Sequence, residues 1–293
     1  MLSTPNSPAA IPRPWRFATL WGGTFAKLFS AATLSIVVVI SMPCSGSTTQ
    51  TNQPTARVSG RTNEAASRAD RLYTEAQQHY RAEPANIEVA WQFGRAAFDR
   101  AEAATNDSHR VAIAEKGIAA CRHAIARDAK AAAAHYYLAL NLGQLARTKT
   151  FGALRLVEQM EMEFKTAITL DPGFDFGGPD RSLGMLYRDA PGWPISVGSR
   201  AKASFHLQQA VNLAPDYPDN RLCLLEAYLA WGQKKAARAE LKSTQDALDK
   251  ARKTFTGEQW AASWEDWDKR WQRIKTNAFE PPKPLKSPRD KSS

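Results

Sequence analysis

The stretch "LDPGFDFGGPDRSLGMLY", Leu170 to Tyr187, sets an Asp-Pro turn, paired glycines and a second proline between two apolar segments. It has two readings with opposite consequences: a glycine-rich loop that cradles a phosphate, or the joint between two stacked helices. A phosphate loop of the Walker type needs GxxxxGK[ST] after a strand. Here no Lys-Ser or Lys-Thr follows the glycines in that register, and a helical pattern precedes them. The joint fits better. One helix ends at Asp171–Pro172, Gly177 and Gly178 form a turn, and Pro179 opens the next helix, where its missing N–H costs nothing.

The pattern around this joint repeats. "CRHAIARDA" (Cys121–Ala129), "FKTAITLDP" (Phe164–Pro172) and "LQQAVNLAP" (Leu207–Pro215) put Ala124, Ala167 and Ala210 at steps of 43 residues. Ile125, Ile168 and Val211 follow in phase, as do Ala129, Pro172 and Pro215. Each alanine marks a close approach of two helices, and each proline ends a helix because it lacks the N–H donor. A second apolar helix opens after each end: Leu138–Ala139, Leu183–Gly184 and Leu224–Leu225 occupy one slot, and Tyr187 and Tyr228 match beyond it. An earlier copy carries Phe93–Gly94 in the same slot of "NIEVAWQFGRAAF".

These residues resemble the tetratricopeptide (TPR) repeat, whose unit runs large residue, Leu-Gly, Tyr, then Ala, a large apolar residue, Ala and Pro. Residues 218–241 fit at the normal spacing through Leu224, Tyr228, Gly232, Ala237 and Leu241. The resemblance implies an all-α fold: a right-handed superhelical array of about four helix pairs over residues 69–278. The units run near 43 residues rather than the usual 34. The surplus is expected between the paired helices, in "RTKTFGALRLVEQ" and "RDAPGWPISVGSR", forming one insert edge, with Phe151, Phe176 and Trp193 as its contacts. The first unit is stretched too, at "EAATNDSHRVAIAEK". Carrying the family's groove positions across names Trp91, Arg95, Tyr136, Arg181, Arg188 and Glu226 as a surface for a protein partner or peptide. A small solute is the alternative occupant. The chaperone-tail clamp of some TPR proteins needs a set of Lys and Asn that this chain lacks. The long units and "GGPDRSLGMLYRDAPGWP" are also similar to a bacterial envelope TPR group associated with tripartite periplasmic transporters.

"EQWAASWEDWDKRWQRI" places Trp260, Trp264, Trp267 and Trp271 on one side of a helix. A repeat array needs atypical ends, so this helix is expected to cap the last unit. An interfacial face beside Lys269, Arg270 and Arg273 is the competing reading.

Residues 1–43 pair a basic, acid-free start with the apolar run "LFSAATLSIVVVISM" (Leu28–Met42). This is short for a spanning helix and near the length of a signal-peptide core, so the segment is expected to be an export signal or N-terminal membrane anchor. Cys44 stands where bacterial lipoproteins place their lipidated cysteine, although Pro43 precedes it where the family has a small residue. Residues 44–68 read as a disordered linker and 279–293 as a disordered basic tail. The implied setting is the cell envelope or periplasm, with membrane contact through the N-terminal segment.

The net charge is +10, and its excess sits in residues 1–68 and 251–293, while residues 69–250 are nearly balanced. A nucleic-acid-binding body would carry that excess itself, so nucleic acid is not an expected partner. There is no GxSxG, no HExxH and no Cys/His cluster with ligand spacing. No catalytic residue, metal site or cofactor is implied. Cys121 and Cys223 fall in apolar helical patterns and read as buried thiols. "EQMEMEF" reads as the solvated side of a helix whose apolar side is Val157, Met160, Phe164 and Ala167.

Overall fold

The computed structural model describes residues 56–149 and 151–279, with side chains from Arg68 to Ala278. The expected export signal, Cys44 and the tail beyond Phe279 lie outside the described residues. Among the described residues ten helices run in order: α1 Ala56–Ala82, α2 Ile87–Glu102, α3 Asp107–Arg127, α4 Ala132–Ala146, α5 Ala153–Leu170, α6 Phe174–Asp189, α7 Arg200–Leu213, α8 Pro218–Ala230, α9 Lys234–Thr254 and α10 Glu258–Phe279. Among the described residues there is no strand, only an isolated bridge between Gly192 and Gly198. Helix α1 begins inside the segment expected to be linker.

Local chemistry sets the helix starts. The side chain of Asn86 accepts from the N–H groups of Glu88 and Val89, Asn106 from His109, and Ser199 from Lys202. Each satisfies donors that a helix leaves unpaired at its start. Pro218 opens α8 within its first turn. The ends fall where the repeat places them: Asp171 and Ala214 leave the helical region just ahead of Pro172 and Pro215.

The helices form pairs α2/α3, α4/α5, α6/α7 and α8/α9, and adjacent pairs stack. The first helices of successive pairs touch one another, α2 to α4, α4 to α6 and α6 to α8, whereas the second helices make no comparable contact. The first helices therefore form the inner layer of a curved, superhelical array, and the second helices are splayed outside. Ala124, Ala167 and Ala210 are all 0% exposed. The slot of Phe93–Gly94 is where helices approach most closely: a Cβ on Gly94 would overlap the Sγ of Cys121 from α3. Val157, Met160, Phe164 and Ala167 form the buried face of α5, and Cys121 and Cys223 are buried free thiols.

Both ends of the stack are closed by aromatic side chains. Tyr73 and Tyr80 of α1 lie 5.4 Å from the ring of Phe93, and Tyr80 Oη is 2.8 Å from His123 Nδ1. At the other end Trp260, Trp267 and Trp271 are buried with Tyr217, Leu222, Leu225 and Leu248, while Trp264 is half-buried. Helix α10 packs on α8 and α9 and takes the place of a further first helix, so it caps the array. The indoles hide apolar surface that the last pair would otherwise expose.

The surplus length sits in an insert, as expected, in the α6/α7 unit, but mostly in helix in the two units before it. Residues 190–199 form a loop between α6 and α7, whereas the earlier second helices are lengthened, with α3 at 21 residues and α5 at 18. Alanine-rich, charged sequence extends a helix at little cost, so these stretches prolong helices already nucleated by packing.

Candidate binding site and the ionic ladder behind it

The quoted joint folds as a sharp kink. Asp175, Phe176 and Gly177 all have positive φ (49°, 56° and 75°), and the regular part of α6 begins beyond them, around Pro179. Left-handed backbone at Asp and Phe costs of order 1–3 kcal/mol each and persists only where the surroundings hold it. Here they do. Asn220 Nδ2 donates to the carbonyl of Phe176 at 2.9 Å, and the Phe176 ring stacks on Tyr217 at 4.6 Å. The kink drives the Asp175 carboxylate inward.

That carboxylate starts a ladder of alternating charge across the first-helix layer. Tyr136 Oη and Arg181 Nη2 both donate to Asp175 Oδ2, at 3.1 and 3.0 Å. Arg181 Nη1 donates to Asn220 Oδ1 at 2.8 Å, and Arg181 Nε lies 3.3 Å from Asp219 Oδ2 without hydrogen-bonding geometry. Asp219 Oδ1 accepts from Arg270 of α10. Arg270 grips Glu226 with Nε and Nη2 at 3.0 Å each, and Arg273 adds a bond to Glu226 at 2.7 Å. Four elements are tied together by buried charges that each face an opposite one.

Burial pushes the Asp175 carboxyl above its ordinary value, against the pull of Arg181 and Arg95. Burial acts the same way on Glu226, but Arg270, with Arg188 and Arg273, outweighs it and holds that carboxyl below the usual range. Burial drives the Cys223 thiol up to about 12, which leaves it without thiolate character. The ladder therefore ties helices together through paired buried charges. Among the described residues no group of three His, Cys, Asp or Glu is placed to hold a metal.

The residues expected to line the groove divide. Trp91, Tyr136, Arg181 and Leu222 each stand two residues before the repeat's Leu slot. This is a packing position: Tyr136, Arg181 and Leu222 are each 0% exposed. Arg181 thus stands behind the surface, not on it. Helix α4 is buried from Ala133 to Gln144, and α6 from Gly177 to Tyr187, so the inner layer is closed over these two helices. Arg188 is mostly buried and paired with Asp189, and Glu226 is engaged by α10. What stays accessible is a corner on α2. Trp91 is half-buried, stacked on Tyr137 at 5.7 Å and 2°, with Phe174 edge-on at 6.0 Å. Its Nε1 donates to Glu88 at 2.8 Å. Arg95, one turn on, is half-buried; burial opposes its charge, and Tyr137, Asp99 and Asp175 more than offset this.

The insert-edge residues also divide. Phe151 and Trp193 are 86% and 88% exposed, but Phe176 is held by Tyr217 and Phe255 in the C-terminal aromatic cluster. The three do not close a common site. Asp175, Asp219 and Asn220 carry no functional signal in the sequence, and Arg270 stands there only beside the competing interfacial face, although the repeat phase that buries Tyr136 and Leu222 also predicts a buried Arg181, and a buried guanidinium demands carboxylates nearby.

Comparison with known proteins agrees with this architecture. The family model described as Regulator of microtubule dynamics protein 1-3 matches residues 56–175, starting where α1 starts. Among solved structures, the chain is similar to TTC0263, a thermophilic TPR protein of Thermus thermophilus, with a TM-score of 0.54 and 19% identity, covering 75% of this chain and 96% of that one. MamA matches at a TM-score of 0.41 and 18% identity, covering 68% of this chain and 93% of that one; the likeness of fold rests on the former. No curated protein matches in sequence. The fold is that of a TPR-like superhelical array.

Proposed function

We propose that the protein is a non-enzymatic interaction scaffold of the cell envelope, which takes a segment of a protein partner at the α2 corner. The carrying observation is the half-buried stack of Trp91, Tyr137 and Phe174 beside Arg95. A rigid, partly covered aromatic next to an arginine is the composition of an interface hot spot. The ladder behind it fixes the first helices, so the corner is formed before a partner arrives and little ordering cost remains. An apolar side chain seated on Trp91, with a carboxylate reaching Arg95, is the complementary chemistry. The basic start, the apolar run and Cys44 support export and tethering of the full chain to a membrane. Mass measurement of the mature N-terminus distinguishes cleavage, lipidation and a retained anchor.

The test is affinity capture from envelope membranes with the full chain and two variants. Arg95→Glu is expected to lose the partner that the parent retains, and Met162→Glu, on the exposed side of the outer helix α5, is expected to keep it. Equal retention by all three, or loss with Met162→Glu alone, contradicts the assignment of the corner.

A further inference from the structure

The loops that join first to second helices all lie on one edge of the array, because successive first helices run side by side in the same direction. A cation–π contact ties two neighbouring loops together: the Arg200 guanidinium, just after the 190–199 loop, sits 5.5 Å over the ring of Trp231 in the α8–α9 turn. Two properties coincide on this edge. Its tips carry the most exposed large apolar side chains among the described residues, Phe151 and Trp193, with Ile195 half exposed beside the latter. Its charge is one-sided as well. Segments 102–107, 147–155, 188–202 and 231–235 hold eight Lys and Arg against three acids, Glu102, Asp107 and Asp189, the last of which Arg188 neutralises. On the opposite edge, segments 81–88, 127–131, 171–175, 214–219 and 252–258 hold five basic and eight acidic residues, of which Asp175 and Asp219 are buried in the ladder.

We infer that the insert edge docks on the surface of an anionic phospholipid bilayer. This stands independently of the partner corner, which lies on α2 in the inner layer. Trp and Phe at protruding tips suit the headgroup boundary, where an amphipathic or apolar ring is wet on one side and dry on the other. Lys149 and Arg155 flank the first tip, Arg200 and Lys202 the second, and Lys234 and Lys235 form the third turn. Each basic side chain brought close to an anionic leaflet strengthens binding roughly fivefold, and apolar stems can lie along the interface while the charges stay in water. The side chains project rather than enclose a pocket, which fits a deformable surface and not a shaped ligand. Among the described residues no helix is long and apolar enough to cross a membrane, so this contact is peripheral. It would set the array's orientation, inserts down and the opposite edge outward, whatever tethers the chain.

The experiment separates this contact from any tether at the N-terminus by reporting locally. In the full chain carrying Cys44→Ser, the two remaining cysteines are buried, so a polarity-sensitive dye enters only at an added thiol. Gly192→Cys suits the tip, since a Cβ there meets nothing nearer than the Gly198 carbonyl at 3.8 Å. Lys130→Cys reports on the opposite edge. With vesicles containing phosphatidylserine, the dye at 192 is expected to shift to the blue and the dye at 130 to stay unchanged. The shift at 192 is expected to weaken in high salt and on pure phosphatidylcholine. Adding Lys149→Glu, Arg200→Glu and Lys235→Glu, all at exposed positions, is expected to weaken the response on the order of a hundredfold in lipid concentration. Phe151→Ala with Trp193→Ala is expected to weaken it without altering its salt dependence. The proposal is overturned by an unshifted dye at 192, by an equal shift at 130, by a response indifferent to charge reversal, or by the same shift with a soluble polyanion in place of vesicles.

Discussion

Replacing Arg181 with alanine separates a buried ladder from an exposed groove by its magnitude. At an exposed groove position the loss would fall within about 0.5 kcal/mol. In this structure Arg181 is fully buried, and its removal leaves Asp175 with Tyr136 and the more distant Arg95 as compensation and strips Asn220 of its donor. Asp219 keeps Arg270. Orphaning a buried carboxylate in this way costs about 3–5 kcal/mol, a fall in Tm of roughly 6–20 °C for a domain of this size. The defect has a pH signature. The folded Asp175 carboxyl already lies above its ordinary value of 3.8, and losing Arg181 raises it further. A carboxyl raised in the folded state binds more protons folded than unfolded, so stability falls as pH rises from the unfolded value through the folded one. Circular-dichroism melts of parent and Arg181→Ala at pH 7.5 and pH 5 should therefore show the gap narrowing in acid. Adding Asp175→Asn should recover part of the loss at pH 7.5, because the orphan charge is gone. A loss below about 1 kcal/mol, or one indifferent to pH and to Asp175→Asn, would refute the ladder.

Three further outcomes follow from the packing. Trp267→Ala should cost about 3–5 kcal/mol and open the C-terminal cluster to hydrogen exchange; Trp267→Phe should cost clearly less, because the buried indole N–H has no acceptor. Gly94→Ala, which in an open helix would stabilise by up to about 1 kcal/mol, should instead destabilise by about 1–3 kcal/mol through its overlap with Cys121 Sγ, and Cys121→Ala should relieve it in urea titrations. The hydrogen bond to Glu163, 2.5 Å from its Nδ1, raises the His135 pKa against the effect of burial. That stabilisation is complete below the unfolded value of about 6.5 and is lost as pH rises through the folded one. Glu163→Gln should therefore lower Tm more at pH 5.5 than at pH 8.5.

The stack was legible because it rests on periodic packing. Ala124, Ala167 and Ala210 announce helix contacts at a fixed step, and the Trp spacing on α10 announces one covered face. The kink at Asp175–Gly177 was legible as a turn, but not the carboxylate it buries, since nothing local says whether an aspartate after Asp-Pro-Gly-Phe points to water. The charge of Arg181 suggests the surface, but its phase in the repeat is a buried one. Tyr136 and Leu222 share its slot and are buried, and the partners that make a buried arginine tolerable come from Asp175, Asp219 and Asn220, in part 39 residues away. The surplus length was visible in the unit step, but helix and loop absorb extra residues equally well in sequence, and only neighbour contacts decide between them.

The most direct measurement is photo-cross-linking in envelope membranes, with benzoylphenylalanine in place of Trp91 on the inner layer or of Met162 on the outer. A discrete protein adduct from position 91 that disappears on adding Arg95→Glu, with none from position 162, is the outcome expected of a scaffold that takes its partner at the α2 corner. An adduct from 162 and none from 91, or one from 91 unaffected by Arg95→Glu, would contradict it.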